Sequence, residues 1–178
     1  MKIYVNKLKI GDYKDIRAII LDIDGVLTDG TFGYGETSEI KFFNTLDGTA
    51  VVAAKRLGYI VGAISGRSCT ANNRRAQELH FDFLYEGIGT KIVTFEKVLK
   101  DFHLRPAECL YMGDDVQDIA IIKIAGIGIL TANAPDYLKK YADYVTQNKG
   151  GRGAVREAVE KLFKETGQMD KFLALYGI

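Results

Sequence analysis

The sequence predicts an α/β fold, a parallel β-sheet covered by helices on both faces. Two observations carry that reading. Short apolar strand-like runs alternate with amphipathic helix-like segments along the chain, the pattern of strands joined by crossover helices. Polar residues able to do chemistry fall just after several of those runs, where ligands bind in open α/β sheets. The chain has 178 residues, room for one ordinary domain spanning residues 1–178.

The elements follow in order. The run Ala18-Ile19-Ile20-Leu21 reads as a buried strand over residues 18–23. Residues 26–43 break the rhythm. Their glycines, Gly30, Gly33 and Gly35, and the alternating side chains between them predict a small β-hairpin projecting from the sheet. A helix is expected over 47–57, with Asp47 as N-cap, Ala50, Ala53, Ala54 and Leu57 on its apolar face, and Gly58 as its stop. Strand 59–64 and helix 68–79 come next, then a short strand over 81–85. Thr90 caps a helix that carries Ile92, Phe95, Leu99 and Phe102. A strand over 109–112, a helix over 115–124 and strands at 126–130 and 144–145 continue the alternation. Helix 152–164 places Val155, Ala158, Val159, Leu162 and Phe163 on one face. The tail, 167–178, forms a stripe of Met169, Phe172, Leu173 and Tyr176 suited to core or subunit interface.

Composition removes several function classes. Nearly half the residues are apolar (47%) and the formal net charge is +1. With charges of both signs spread along the chain, no nucleic-acid footprint and no polybasic membrane patch is present. No apolar run approaches the roughly 20 residues a membrane span needs. The opening MKIYVNKLKIGDYKD alternates apolar and polar residues without the apolar centre of a secretion signal. Cys69 and Cys109 share no metal-type spacing and read as free thiols, so a cytoplasmic location is expected.

The polar residues at strand ends define a candidate site. Asp22 and Asp24 close the first strand, Ser65 ends the strand of "AISGR", and Asp114 and Asp115 follow the strand before "GDDVQD", with Asp118 a turn later. Lys91 opens a helix after "EGIGT". Carboxylates packed this densely repel one another unless a cation sits among them, and hard oxygen ligands suit Mg²⁺. A hydroxyl, an ammonium and backbone N–H groups suit a phosphoryl group. A carboxylate flanked by Mg²⁺ and lysine can attack phosphorus and form an aspartyl phosphate. On this reading one of Asp22 and Asp24 is the nucleophile and the other handles protons. Lysine in a first turn opposes the helix dipole, which favours a functional reason for Lys91. Asp115 reads equally as an N-cap, and Asp118 as a first-turn acid or a metal-site residue.

Four motifs in order, "DIDGVLTDG", Ser65 of "ISGR", Lys91 and "GDDVQD", resemble those of the haloacid dehalogenase (HAD) superfamily of phosphatases. "DGVLTDG", "FNTLDG", "ISGR", "ADYVT" and "GGRGAVRE" resemble more closely the 3-deoxy-D-manno-octulosonate 8-phosphate (KDO 8-P) phosphatases. The resemblance implies a Rossmann-like, HAD-like core with a hairpin cap. It implies Mg²⁺-dependent hydrolysis of a sugar phosphate monoester in lipopolysaccharide precursor synthesis, and a homotetramer in which a neighbour's hairpin helps close the site. It further implies Asp22 as nucleophile, Asp24 as acid and base, and Ser65 and Lys91 as phosphate ligands. Mg²⁺ would be held by Asp22, the Asp24 carbonyl and Asp114, with Asp115 or Asp118 behind them. Thr28, Gly66, Arg67 and Arg152 are the candidate substrate contacts. One departure stands out: Ile119 and Ala120 follow Asp118 where the family often has D-x-P.

Three rival readings exist. Arg67 separates the octulosonate phosphatases from relatives acting on nonulosonate 9-phosphates, some of which carry an acidic residue there. A non-catalytic oligomerisation module would not need the intact set of catalytic positions. A phospho-receiver domain would lack Asp24. Arg74 and Arg75 read as a solvated helix face, His80 and His103 as partners of helix C-termini, and "NKGGRGAVRE" as an anion-binding turn or a plain loop.

Overall fold

The computed structural model describes residues 12–36 and 39–178; most of the N-terminal stretch discussed above lies outside them. The chain builds a parallel sheet from β1 (Ala18–Leu21), β4 (Ile60–Ile64), β5 (Phe83–Tyr85), β6 (Cys109–Gly113), β7 (Ile127–Leu130) and β8 (Tyr144–Val145). A two-stranded antiparallel hairpin, β2 (Gly33–Tyr34) with β3 (Glu39–Ile40), is inserted after β1. The helices are α1 (Thr45–Arg56), α2 (Thr70–Glu78), α3 (Lys91–Asp101), α4 (Ile119–Ile122), α5 (Asp136–Lys139), α6 (Ala154–Glu165) and α7 (Met169–Ala174).

Strand order is β5-β4-β1-β6-β7-β8. The chain therefore builds outward from β1 in one direction, then returns to the other side of β1 with β6. Such a reversal opens a crevice beyond the carboxyl ends of the strands. β1 is central, pairing Leu21 with Ala63 on one side and with Met112 on the other. All four of its residues are buried, as a strand covered on both faces requires. Alternate side chains part to opposite faces. Ile19 and Leu21 join the layer of α1 and α6, while Ala18 and Ile20 join that of α3 and α4. Phe172 of α7 packs on Phe163, so the tail stripe serves this chain's own core.

Several boundaries differ from the sequence reading, each for a physical reason. The first strand ends at Leu21, so Asp22 is already beyond the ladder. Residues 26 and 27 belong to a tight turn rather than to the hairpin, because Val26 and Leu27 are buried in the core. Helix α1 begins two residues earlier than expected, with Asn44 accepting from Leu46 N and Asp47 N. Asp47 is buried instead against α6, accepting from Gly153 N (3.3 Å) and Arg156 N (2.8 Å). The "GGRG" turn thus holds an anion, and the anion is the chain's own Asp47. The expected helix over 115–124 is a 3₁₀ turn (Val116–Asp118) leading into the short α4, because Asp118 folds its carboxylate back onto the N–H groups of Asp114 and Asp115, just before the turn. His80 and His103 each stand one residue past a helix C-cap in the left-handed conformation, φ 55° and 51°.

Candidate active site

Beyond the carboxyl ends of β1, β4 and β6, four segments converge. Asp22 continues β1, its N–H donating to Met112 O at 2.9 Å. Lys91, the first residue of α3, extends its fully buried side chain between two carboxylates, with Nζ 2.9 Å from Asp22 Oδ2 and 2.8 Å from Asp118 Oδ1. Asp118 is saturated. Its Oδ1 also accepts from Tyr111 OH at 2.8 Å, and its Oδ2 from Asp114 N at 3.0 Å and Asp115 N at 3.1 Å. Gly113 is required for this close approach: a Cβ there would lie 2.4 Å from the Asp118 side chain. Asp118 therefore orients Lys91 and shapes the loop that presents Asp114.

Asp22, Asp114 and Asp118 bring one carboxylate oxygen each within 4.8 Å of one another. One ammonium does not neutralise three carboxylates. Burial above all, then the charge of Asp118, raises Asp22 from its ordinary acid range to about 7. Burial, then Asp22 and Asp118, raises Asp114 to about 7 as well. For Lys91 burial disfavours the charge, but Asp22 and Asp118 outweigh it and its pKa is raised. A buried cluster of hard oxygens with excess negative charge fits a small divalent cation. Gly25 keeps room for the Asp114 carboxylate, since a Cβ there would meet Asp114 Oδ2 at 1.9 Å.

The other predicted residues divide. Asp24 is turned to Lys41, whose Nζ lies 2.6 and 2.8 Å from its two oxygens. Ser65 is buried at the end of β4, its hydroxyl donating to Arg67 O and accepting from Arg67 N. Asp115 caps the 3₁₀ turn through Val116 N and lies outside the carboxylate trio. Thr28 is buried, its hydroxyl accepting from Gly25 N and Gly30 N; it shapes the loop after β1. Arg67 pairs with Glu39 of the hairpin at 2.8 Å and stacks over Phe32. Arg152 is exposed and pairs with Asp29 at 3.3 Å. Arg74 pairs with Glu78 on the surface, while Arg75 also donates to Asn44 O.

Asp22, Asp24, Ser65, Gly66 and Arg67 line one cavity of about 550 Å³ with Phe32 and Gln117 among its walls, a volume suited to a small polar ligand. Sequence reasoning missed Lys41, Asn133 and Gln117. Asn133 bridges the site, donating to Gly25 O and, at 3.4 Å, to Asp114 Oδ2 while accepting from Gly150 N. Gln117 sits inside a motif already singled out and was reachable; Lys41 and Asn133 carry no local signal.

Comparison with known proteins decides the family. The model of haloacid dehalogenase-like hydrolases matches residues 67–159. The chain belongs to the haloacid dehalogenase-like hydrolases. This hydrolase is 36% identical over 163 residues to the 3-deoxy-D-manno-octulosonate 8-phosphate phosphatase of Escherichia coli K12, covering 91% of this chain and 87% of that protein. Its fold matches the crystal structure of a 3-deoxy-D-manno-octulosonate 8-phosphate phosphatase from Moraxella catarrhalis in complex with magnesium, phosphate and KDO. The TM-score is 0.89 and the identity 34%, over 93% of this chain and 95% of that one. A probable YrbI family phosphatase from Pseudomonas syringae pv. phaseolicola matches with TM-score 0.89 and 36% identity, over 93% and 94% of the two chains. Among the described residues, no helix of this hydrolase is long and apolar enough to cross a membrane.

Proposed function

We propose that this hydrolase cleaves the phosphate monoester of an acidic sugar, 3-deoxy-D-manno-octulosonate 8-phosphate, to KDO and inorganic phosphate in lipopolysaccharide precursor synthesis. The observation that carries the chemistry is Asp22, held 2.9 Å from a buried lysine at the edge of a polar cavity. The substrate rests on the relatives, which share about a third of their residues with this chain.

Mg²⁺ fits the donor set: the Asp22 and Asp114 carboxylates and the Asp24 backbone carbonyl would hold it, with Asp118 and Asp115 supporting the loop. When bound, it neutralises charge on the phosphoryl oxygens. Asp22 Oδ attacks phosphorus, forming the Asp22–phosphate bond as the bond to the sugar oxygen breaks. Asp24 gives its proton to that leaving oxygen. It then takes a proton from water, which attacks phosphorus, releases phosphate and restores Asp22. Lys91 and the Ser65 hydroxyl hold the non-bridging oxygens, so positioning and charge supply most of the rate. Gly66 and Arg67 face the sugar and the Thr28 loop borders it, whereas Arg152, which lines a separate cleft with Asp29 and Phe42, would reach the active site of a neighbouring subunit. A homotetramer whose hairpins close neighbouring sites, and a cytoplasmic location, complete the reading; the exposed Tyr34 and Phe42 of the hairpin region support the former.

A phosphate-release panel with Mg²⁺ tests the substrate. KDO 8-P should be turned over faster than nonulosonate 9-phosphates. A reversed preference would move the assignment to the latter, and no release from any sugar phosphate would overturn it.

Metal binding is expected to be coupled to protons. Asp22 and Asp114, raised to about 7 from a reference of 3.8, hold protons in the folded metal-free protein that the unfolded chain has released. Metal-free stability therefore falls as pH rises from about 4 through about 7. Mg²⁺ requires the deprotonated oxygens, so its stabilising effect should grow over the same interval. Thermal melts with and without Mg²⁺ between about pH 5 and pH 8 should diverge; a pH-independent gap would contradict the account.

A further inference from the structure

We propose that Lys41 is a positioning residue for Asp24, a cation carried on the hairpin that sets the proton-transferring carboxyl in place. The proposal deepens the reading of Asp24 as acid and base and rests on it. Lys41 directly follows β3. Its side chain is fully buried, which lysine almost never is without a partner. Among the described residues, Asp24 is the only carboxylate within ion-pair distance of it.

The local pattern is inverted. Ile40 and Phe42, on either side of Lys41, are 48% and 78% exposed, while the ammonium between them points inward. Packing alone would place the apolar neighbours inside and leave the lysine in water. The chain instead desolvates an ammonium, which is costly unless its charge is used, and places it 2.6 and 2.8 Å from the two oxygens of one carboxylate. Nζ donates to Oδ2 and stands in ion-pair contact with Oδ1, so the ammonium fixes where the carboxyl sits. Asp24 itself is not sealed; its side chain is 25% exposed and lines the cavity. A second hairpin tether, Glu39 to Arg67, stands at the same cavity. The hairpin thus reaches the reacting region through two ion pairs, and the one at Asp24 ties the placement of the acid to the placement of the hairpin.

A mere anchor and a positioning residue predict different dependence on the leaving group. A sugar alkoxide needs a proton as it departs, whereas p-nitrophenolate leaves without one. The measurement is kcat/KM for KDO 8-P and for p-nitrophenyl phosphate with Mg²⁺, because this ratio reports steps through departure of the leaving group. Lys41→Met should lower it about 10- to 100-fold on KDO 8-P, the scale of a misplaced general acid, and much less on p-nitrophenyl phosphate. Asp24→Asn should show the same bias, and adding Lys41→Met to it should cost little more on the sugar phosphate. Equal losses on both substrates, or no loss on either, would overturn the proposal. Should Lys41→Met fail to fold, Lys41→Gln carries the same comparison, with the same outcomes deciding. Asp22→Asn separates the two levels of the argument: turnover surviving in that variant would sink the phosphatase mechanism itself, not the role of Lys41.

Discussion

Asp22→Asn is expected to abolish phosphate release while leaving a folded protein that, without metal, melts at a higher temperature than the parent. The activity loss should be on the order of 10³-fold or more, as for removal of other covalent nucleophiles, because an amide does not attack phosphorus. The stability gain follows from the charge count. In the parent, Lys91 stands among Asp22, Asp114 and Asp118, whose carboxylates come within 4.8 Å of one another. The amide is close to isosteric and removes one of the three charges, and Lys91 keeps Asp118 at 2.8 Å. Saturating Mg²⁺ should reverse the order of melting temperatures, because on the proposed reading the variant lacks one metal ligand while the parent gains one cation for its excess charge. Phosphate assays and paired melts check both halves. Equal melting temperatures with and without Mg²⁺ would show that these carboxylates do not share a cation.

Lys91→Met is expected to be the most damaging single change for stability. The lysine is fully buried between Asp22 and Asp118. Removing one member of a buried ionic group leaves uncompensated charge and typically costs about 3–5 kcal/mol. Relief of the unfavourable lysine at a helix N-terminus returns only about 0.3–1 kcal/mol, so the loss dominates. Activity should fall with it, since in the proposed mechanism Lys91 is the phosphate's ammonium ligand. Mg²⁺ should recover part of the stability by taking over some of the neutralisation. Lys97 offers the control within the same helix: it is exposed and pairs with Asp101, and Lys97→Met should leave the melting curve within its error. A Lys91 variant as stable as the Lys97 variant would mean that the buried triad is not held by charge.

Much of this arrangement was legible in the chain itself. The apolar run ending at Leu21 is a buried strand because no polar residue interrupts it, and Asp22 must then emerge at its carboxyl end. The same argument places Ser65 after Ile64 and Asp114 after Gly113, and strand-end convergence in α/β sheets brings them to one edge. Lys91 was marked by its conflict with the helix dipole. Asp118 stayed ambiguous, because a first-turn acid and a lysine-orienting hub look alike in a local pattern.

What sequence alone determined is therefore whatever depends on neighbours along the chain: the alternation of elements, the apolar faces, and the strand ends where chemistry gathers. What only the tertiary structure decided is which partners meet across long separations. Asp47 turned from the cap of its own helix to the N–H groups of Gly153 and Arg156, more than a hundred residues away. Lys41 turned inward to Asp24, and Asn133 came to rest between Gly25 and Gly150. Periodicity encodes the direction of a side chain within an element; a carboxylate's choice among several donors is settled by which desolvated group lies within about 3 Å once the layers have packed.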